Sequence, residues 1–313
     1  FGSSTSYVQR AEDKNKARDI QITNTEADTR WVLPFTTNTL TLGANYQKEE
    51  LDDQTTNTLT DLTELDMYQW ALFAEDEWYL TDTFALTGGV RLDKNENFGS
   101  HVSPRLYGVW NLAPHWILKG GVAGGYRSPS VRELAADWGQ TSRGGDVYGN
   151  PDLEPETSLN KEIGIAYNAT SGLNAGVTLF HNDFDDKITR VACPEGVCAD
   201  EPNSFGSYPT YRINIDEAVT QGVEATLDMP LSETVKLSSS YTYTDSEQKS
   251  GEYKGEPLTQ LPKHLLTTRL DWDPAGRFSG WSRMTFRGEE SEPTTGPSSS
   301  SFRAPSYTYV DTG

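Results

Sequence analysis

The chain has 313 residues, 35% of them hydrophobic and 11% aromatic, with 27 Gly and a formal net charge of −20. So acidic a chain excludes nucleic acid as a partner, because phosphate binding needs a basic face. No run comes near the roughly 18 apolar residues of a spanning helix, which leaves room for a barrel whose strands alternate lipid-facing and lumen-facing residues.

Alternation is the dominant pattern in chain order. Between Thr39 and Gln47, the apolar residues Leu40, Leu42, Ala44 and Tyr46 take every second place, which is the period of a strand. Phe84, Leu86, Val90 and Leu92 repeat it, then Trp116, Leu118, Val122 and Tyr126. Ile163, Ile165 and Tyr167 follow, then Ala175, Val177 and Leu179, and then Val223, Ala225 and Leu227. About thirteen such segments fit, the first and last abutting the chain ends.

The connectors fall into two classes. Short turns are predicted at 34–38, 80–83, 113–115, 170–172, 230–233 and 273–276, and long loops between them at 52–66, 129–156, 192–211, 246–262 and 289–305. Short turns on one rim and long loops on the other are the plan of an outer-membrane barrel. Tyr68, Trp70, Trp78, Tyr79, Trp110, Trp116, Tyr126, Tyr167, Tyr241, Tyr243 and Trp272 fall near the ends of the alternating runs. Amphipathic rings form girdles at such positions. The fold class is therefore all-β, an antiparallel transmembrane β-barrel.

Cys193 and Cys198 flank a turn containing Pro194 and Gly196, which suits a small disulfide clip and an oxidising compartment. A metal pair is the rival reading, but no His lies nearby and the spacing is not that of a zinc site. His101, His115, His181 and His264 are scattered, with no metalloprotease or nucleophile-elbow signature. No enzyme is expected. Gly120, Gly121, Gly124 and Gly125 sit in a strand pattern and mark bends or close backbone approach.

The most specific stretch runs Gly149, Asn150, Pro151, Asp152, Leu153, Glu154, Pro155, Glu156, Thr157, Ser158, followed by Glu162 and Gly164. Its two prolines enforce an extended descent from loop to strand, a structural role. Glu162 should face the lumen, opposite to Ile163, where Arg, Lys or a plug can pair with it. The stretch resembles a loop-to-strand segment of TonB-dependent outer-membrane receptors. Tyr126, Arg127, Pro129, Ser130, Glu133 and Leu134 are similar to a strand end of that family, as are residues 71–78, 89–93 and 103–106, in the family's order. From Tyr126 to Ile188 the chain most resembles ferric enterobactin and related catecholate-siderophore receptors.

The resemblance implies a portion of a large plugged outer-membrane barrel in a Gram-negative bacterium. Residues 1–313 are then a partial barrel domain, with the plug, its TonB-contacting segment and the closing C-terminal strand absent. The implied function is TonB-dependent uptake of a ferric siderophore, with iron carried by the siderophore and no cofactor on protein ligands. Implied partners are the siderophore, the TonB system through the missing plug, outer-membrane lipid, and a docking bacteriocin or phage. A passive channel or adhesion barrel is the alternative. A barrel hydrolase would need a Ser or Asp paired with His at one rim.

A ferric catecholate is anionic, bulky and aromatic, so a receptor meets it with cations and ring faces. Arg127, Arg132 and Arg143 with Tyr126, Trp138 and Tyr148 form a basic, aromatic cluster in an acidic chain. Arg105, Arg190, Tyr208, Tyr211 and Arg212, expected near the tops of adjoining strands, complete the candidate set. The bland reading is that Arg127, Arg132 and Arg143 pair with Glu133, Asp137 and Asp146, and that the others are structural.

Overall fold

The computed structural model describes residues 2–13, 16–53, 64–135, 139–140, 145–198, 201–202, 206–251, 254–259, 261–274, 276–291 and 303–313. The alternating segments become strands β1 (Gly2–Asp13), β2 (Lys16–Pro34), β3 (Asn38–Asp53), β4 (Glu64–Thr81), β5 (Phe84–Asn95), β6 (Gly99–Ala113) and β7 (Trp116–Arg127). A short helix α1 (Val131–Leu134) and two-residue strands β8 (Gly139–Gln140) and β9 (Val147–Tyr148) lie in the next loop. Then come β10 (Glu156–Asn168), β11 (Asn174–Ala192), β12 (Thr210–Ser232), β13 (Val235–Gln248), β14 (His264–Trp272) and β15 (Gly280–Arg287). The small hairpin β16 (Glu290–Ser291) and β17 (Arg303–Ala304) precedes β18 (Tyr307–Thr312).

β1 to β7, β10 to β15 and β18 pair in sequence order, fourteen strands each antiparallel to the next. That is one more than the alternation suggests. Every expected short turn joins two of these strands on one rim. On the other rim lie the long loops, together with a tight connection between β5 and β6 that the alternation does not separate. β12 has 23 residues and β11 has 19. About 10 residues span a membrane as a tilted strand, so these strands stand well above the lipid on the long-loop side.

Register assigns the two faces. One cross-strand row runs Trp78, Leu86, Gly108, Gly120, Ile163, Leu179, Val223, Tyr243. A row three residues along the strands, of opposite pleat, runs Glu75, Gly89, Arg105, Ala123, Asn160, Asn182, Thr220, Ser246. The first row is the lipid face, where Ile163 and Leu179 are more than half exposed. Such exposure is costly in water and natural against acyl chains. Trp31, Trp78, Trp110, Trp116 and Trp272 are also exposed and flank the short turns as a girdle. Trp116 packs on Tyr167 across the ladder, 4.8 Å between ring centroids. A Cβ on Gly120 would lie 2.7 Å from the Glu162 carbonyl oxygen, the close backbone approach expected of that glycine cluster.

The second row faces the lumen. Glu162 does point there, but its partner is neither Arg nor Lys: the Tyr107 hydroxyl donates to it at 2.6 Å. The phenol comes from β6, one strand beyond β7, and reaches the carboxylate across Gly121. Arg105 likewise lies partway down β6 rather than near its top, paired with Glu75 at 3.0 Å.

Candidate functional site

The loop between β7 and β10 folds inward at the long-loop mouth. Pro129 cannot extend β7, and Ser130 with Glu133 starts α1: the Ser130 amide and hydroxyl both donate to Glu133 Oε2, at 2.9 and 3.1 Å. A four-residue helix has no stability of its own. Tertiary burial supplies it, since Val131 and Ala135 pack against Leu51 of β3 and Met67 of β4, with Ile22, Leu65 and Leu134 around them.

The Asn150-to-Glu156 segment then laces the loop to β12. Asn150 donates from its side-chain amide to the Arg212 carbonyl at 3.0 Å and accepts from the Asp152 amide at 2.9 Å. Asn214 accepts from the Glu154 amide and donates to the Glu154 carbonyl, each at 2.9 Å. The segment is an extended descent, as its prolines require. β9 adds to β12 as a short parallel strand, Val147 opposite Thr210 and Tyr148 opposite Tyr211.

This folding brings charge together. Arg127 Nε donates to Glu156 Oε2 at 2.8 Å and Nη2 to Oε1 at 3.2 Å, while Nη1 reaches Glu133 Oε2 at 3.1 Å. Arg212 Nη1 donates to the other Glu133 oxygen at 3.0 Å. Glu156 Oε1 also accepts from the Ile188 amide at 2.6 Å. Arg190 stands directly opposite Arg212 on the lumen face of β11 and β12. Arg212 Nε is buried with no hydrogen-bond partner among the described residues. Burial pushes the Arg190 pKa down, and the neighbouring Arg212 charge pushes it the same way. For Glu133, burial alone would raise the pKa. The Ser130 amide and the Arg127 and Arg212 charges outweigh it and hold the carboxyl below its usual range.

The candidate residues therefore divide. Arg127, Arg190 and Arg212 converge, and Arg132 lies near enough for its charge to act on Glu49 of β3. Tyr126 stacks on His101, 4.7 Å between centroids, beside a cavity of about 330 Å³ lined by Gln47, Glu49, Gln69, Arg127 and Ser128. Tyr148 is only 8% exposed. Tyr211 takes the opposite pleat from Arg212, so neither ring is presented with the arginines. Tyr208 is 66% exposed in the loop before β12. Arg143 and Trp138 lie outside the described residues.

Sequence reasoning placed Glu133 only as a neutralising partner and missed Glu156 and Asn214. The Ser130–Glu133 spacing of a capping box was the available signal for the first. Cys193 and Cys198 are disulfide-bonded, with Cα atoms 6.1 Å apart, at the top of β11 just beyond Arg190. Among the described residues no group of three or more His, Cys, Asp or Glu side chains converges to hold a metal.

Comparison with known proteins fits this geometry. Residues 1–313 match the family model described as TonB dependent receptor-like, beta-barrel. An iron-regulated outer membrane virulence protein of Vibrio cholerae is 53% identical over 312 residues, which cover 100% of this chain and 48% of that protein. The ferrienterobactin receptor of Escherichia coli is 32% identical over 279 residues, 80% of this chain and 36% of that one. The chain thus spans about half, or less, of the length of these curated relatives. A crystal structure of a ferric enterobactin receptor mutant from Pseudomonas aeruginosa superposes with a TM-score of 0.76 at 28% identity, covering 95% of this chain and 47% of that one. Another mutant of that receptor, in complex with enterobactin, gives 0.74 at 27% identity, covering 96% and 48%. The apolar outer face has its place in the outer membrane of a Gram-negative cell, and the chain belongs to the TonB-dependent receptor-like β-barrel family.

Proposed function

We propose that the full-length protein is an outer-membrane receptor that takes up a ferric siderophore, of the catecholate class, by TonB-dependent transport. The observation that carries the reading is the arginine cluster at the mouth. Arg190 faces Arg212 directly across the ladder with Arg127 close by, and a buried Arg212 Nε is left to donate. A ferric complex of catecholate oxygens supplies several negative oxygens on one rigid body, which suits planar guanidinium donors. The names of the relatives, ferric enterobactin receptors among them, support the same class. Residues 1–313 are then part of the barrel wall, and a plug domain outside them couples passage to TonB.

The test is a titration of the intact receptor with ferric enterobactin and with a neutral ferric hydroxamate, followed by quenching of Trp fluorescence. Saturable quenching by the catecholate, stronger than by the hydroxamate, is expected. Absence of quenching by any ferric catecholate overturns the assignment.

A further inference from the structure

We infer that Glu133 is an internal competitor for the ligand, a carboxylate that occupies the arginine site in the empty receptor and couples its occupation to release of α1. The inference rests on the siderophore reading above. Glu133 is 7% exposed, and its two oxygens reach arginines from different strands, Arg127 of β7 and Arg212 of β12. Those strands are separated by β10 and β11, so this one side chain bridges the wall from inside the lumen.

The two arginines depend on Glu133 unequally. Arg127 keeps Glu156 if Glu133 leaves. Arg212 has no other carboxylate within ion-pair distance among the described residues, and its Nε has no acceptor. A partly buried guanidinium whose Nε is fully buried, stripped of the one carboxylate that the described residues give it, is costly, so Glu133 leaves when another anion arrives.

Tethering gives Glu133 a high effective concentration at the arginines, which a small monoanion cannot match. A rigid complex with several anionic oxygens can, because it engages Arg212, Arg190 and Arg127 together. Once displaced, Glu133 no longer fixes α1 to β7 and β12. The helix is then held by its contact with Leu51 and Met67 and by the Asn150 amide on the Glu133 carbonyl, 2.7 Å. Ligand capture and loosening of α1 are thus one event.

The experiment compares the intact receptor with its Glu133→Gln and Val131→Ser variants, using ferric enterobactin as the probe and amide hydrogen exchange over residues 130–135 as a second readout. Glu133→Gln removes the competing charge at constant shape. Val131→Ser weakens the apolar hold of α1 without touching any charge. Glu133→Gln is expected to bind about tenfold tighter, the gain when a mostly closed state no longer has to open, and Val131→Ser a few-fold tighter. In the wild type, ligand should speed exchange over 130–135, and in Glu133→Gln that exchange should already be fast without ligand. If the wild type binds but both variants bind equally or more weakly, Glu133 only supports the fold and the inference fails. Unchanged exchange on ligand binding to the wild type overturns it too. If no ferric catecholate binds the wild type, the siderophore reading falls and takes this inference with it.

Discussion

Two lumen-facing arginine pairs stand at opposite ends of the barrel wall, and they are neutralised in different ways. Near the short-turn rim Arg269 lies directly opposite Arg283, with Trp281 stacked under both guanidinium groups at 4.6 and 5.9 Å. Each has a carboxylate of its own: Arg269 Nε donates to both Asp271 oxygens at 2.9 and 3.0 Å, and Arg283 reaches Asp311 at 2.7 Å. At the long-loop mouth Arg190 lies opposite Arg212, and the acid on Arg212, Glu133, is shared with Arg127 and comes from α1 rather than from a strand of the wall. The same cross-strand motif is a closed structural ladder where every cation has a private acid on a strand. Where one acid is shared between arginines of two strands and carried on α1, it can be exchanged for a ligand, as inferred above.

The largest effect should come from breaking the upper pair. Arg212→Ala removes the guanidinium that faces Arg190 and should weaken ferric enterobactin binding to the intact receptor by about 100-fold, on the order of 3 kcal/mol for lost charged hydrogen bonds. Fluorescence titration measures it. A loss of less than threefold would mean that the upper pair is as closed to ligands as the lower one.

Next comes the clip above Arg190. Mutating Cys193 and Cys198 to Ser frees a short loop, and chain-entropy arguments put the cost at about 2 kcal/mol, confined to the tops of β11 and β12. Faster amide exchange over 188–192 and 210–214 is expected, with a several-fold loss of ligand affinity because Arg190 and Arg212 lose their fixed spacing. The strands around Arg269 and Arg283 should exchange as before.

Much of this frame is legible in the sequence. The alternation at Leu40, Leu42, Ala44 and Tyr46 falls inside β3, every expected short turn joins two strands, and the Asn150-to-Glu156 segment descends in the extended form its prolines impose. The meeting of Arg190 with Arg212 is not legible. They lie on either side of a long loop of no defined turn type, and a slip of one residue in its register would put one arginine on the opposite face. Tyr211 shows how little separates the outcomes, since one step along β12 takes its ring away from the arginines. The burial of Tyr148 is equally hidden, because it follows from a loop folding back onto distant strands. Local pattern carries no information on that.

The acid side of the upper cluster gives a smaller effect. Glu133 has its pKa lowered in the folded protein, so its stabilising contribution is fully present above the usual carboxylate value and is lost only as pH falls through the lower, folded one. Exchange over 130–135 should therefore stay slow from neutral pH down to about pH 4.5 and rise about tenfold below it. In Glu133→Gln the step should vanish. A step already complete near pH 6 would mean that the arginines do not hold the carboxylate in its charged form.

The smallest effect belongs to the lower pair, and it is the control for the whole comparison. Arg283 and Asp311 are each about 40% exposed, so their ion pair contributes little in a solvated lumen. The stack on Trp281 adds a cation–π term of similar size, which brings the expected cost of Arg283→Ala to about 1 kcal/mol. The neighbouring Arg269 partly offsets even that, because removing Arg283 also relieves the repulsion between two cations directly across the ladder. A small drop in the melting temperature of the purified receptor is therefore expected, with ferric enterobactin affinity unchanged within twofold. Affinity that fell as far as in Arg212→Ala would mean that the ligand, or a segment that controls it, also depends on the lower ladder, and the division between a structural pair and a binding pair would have to be abandoned.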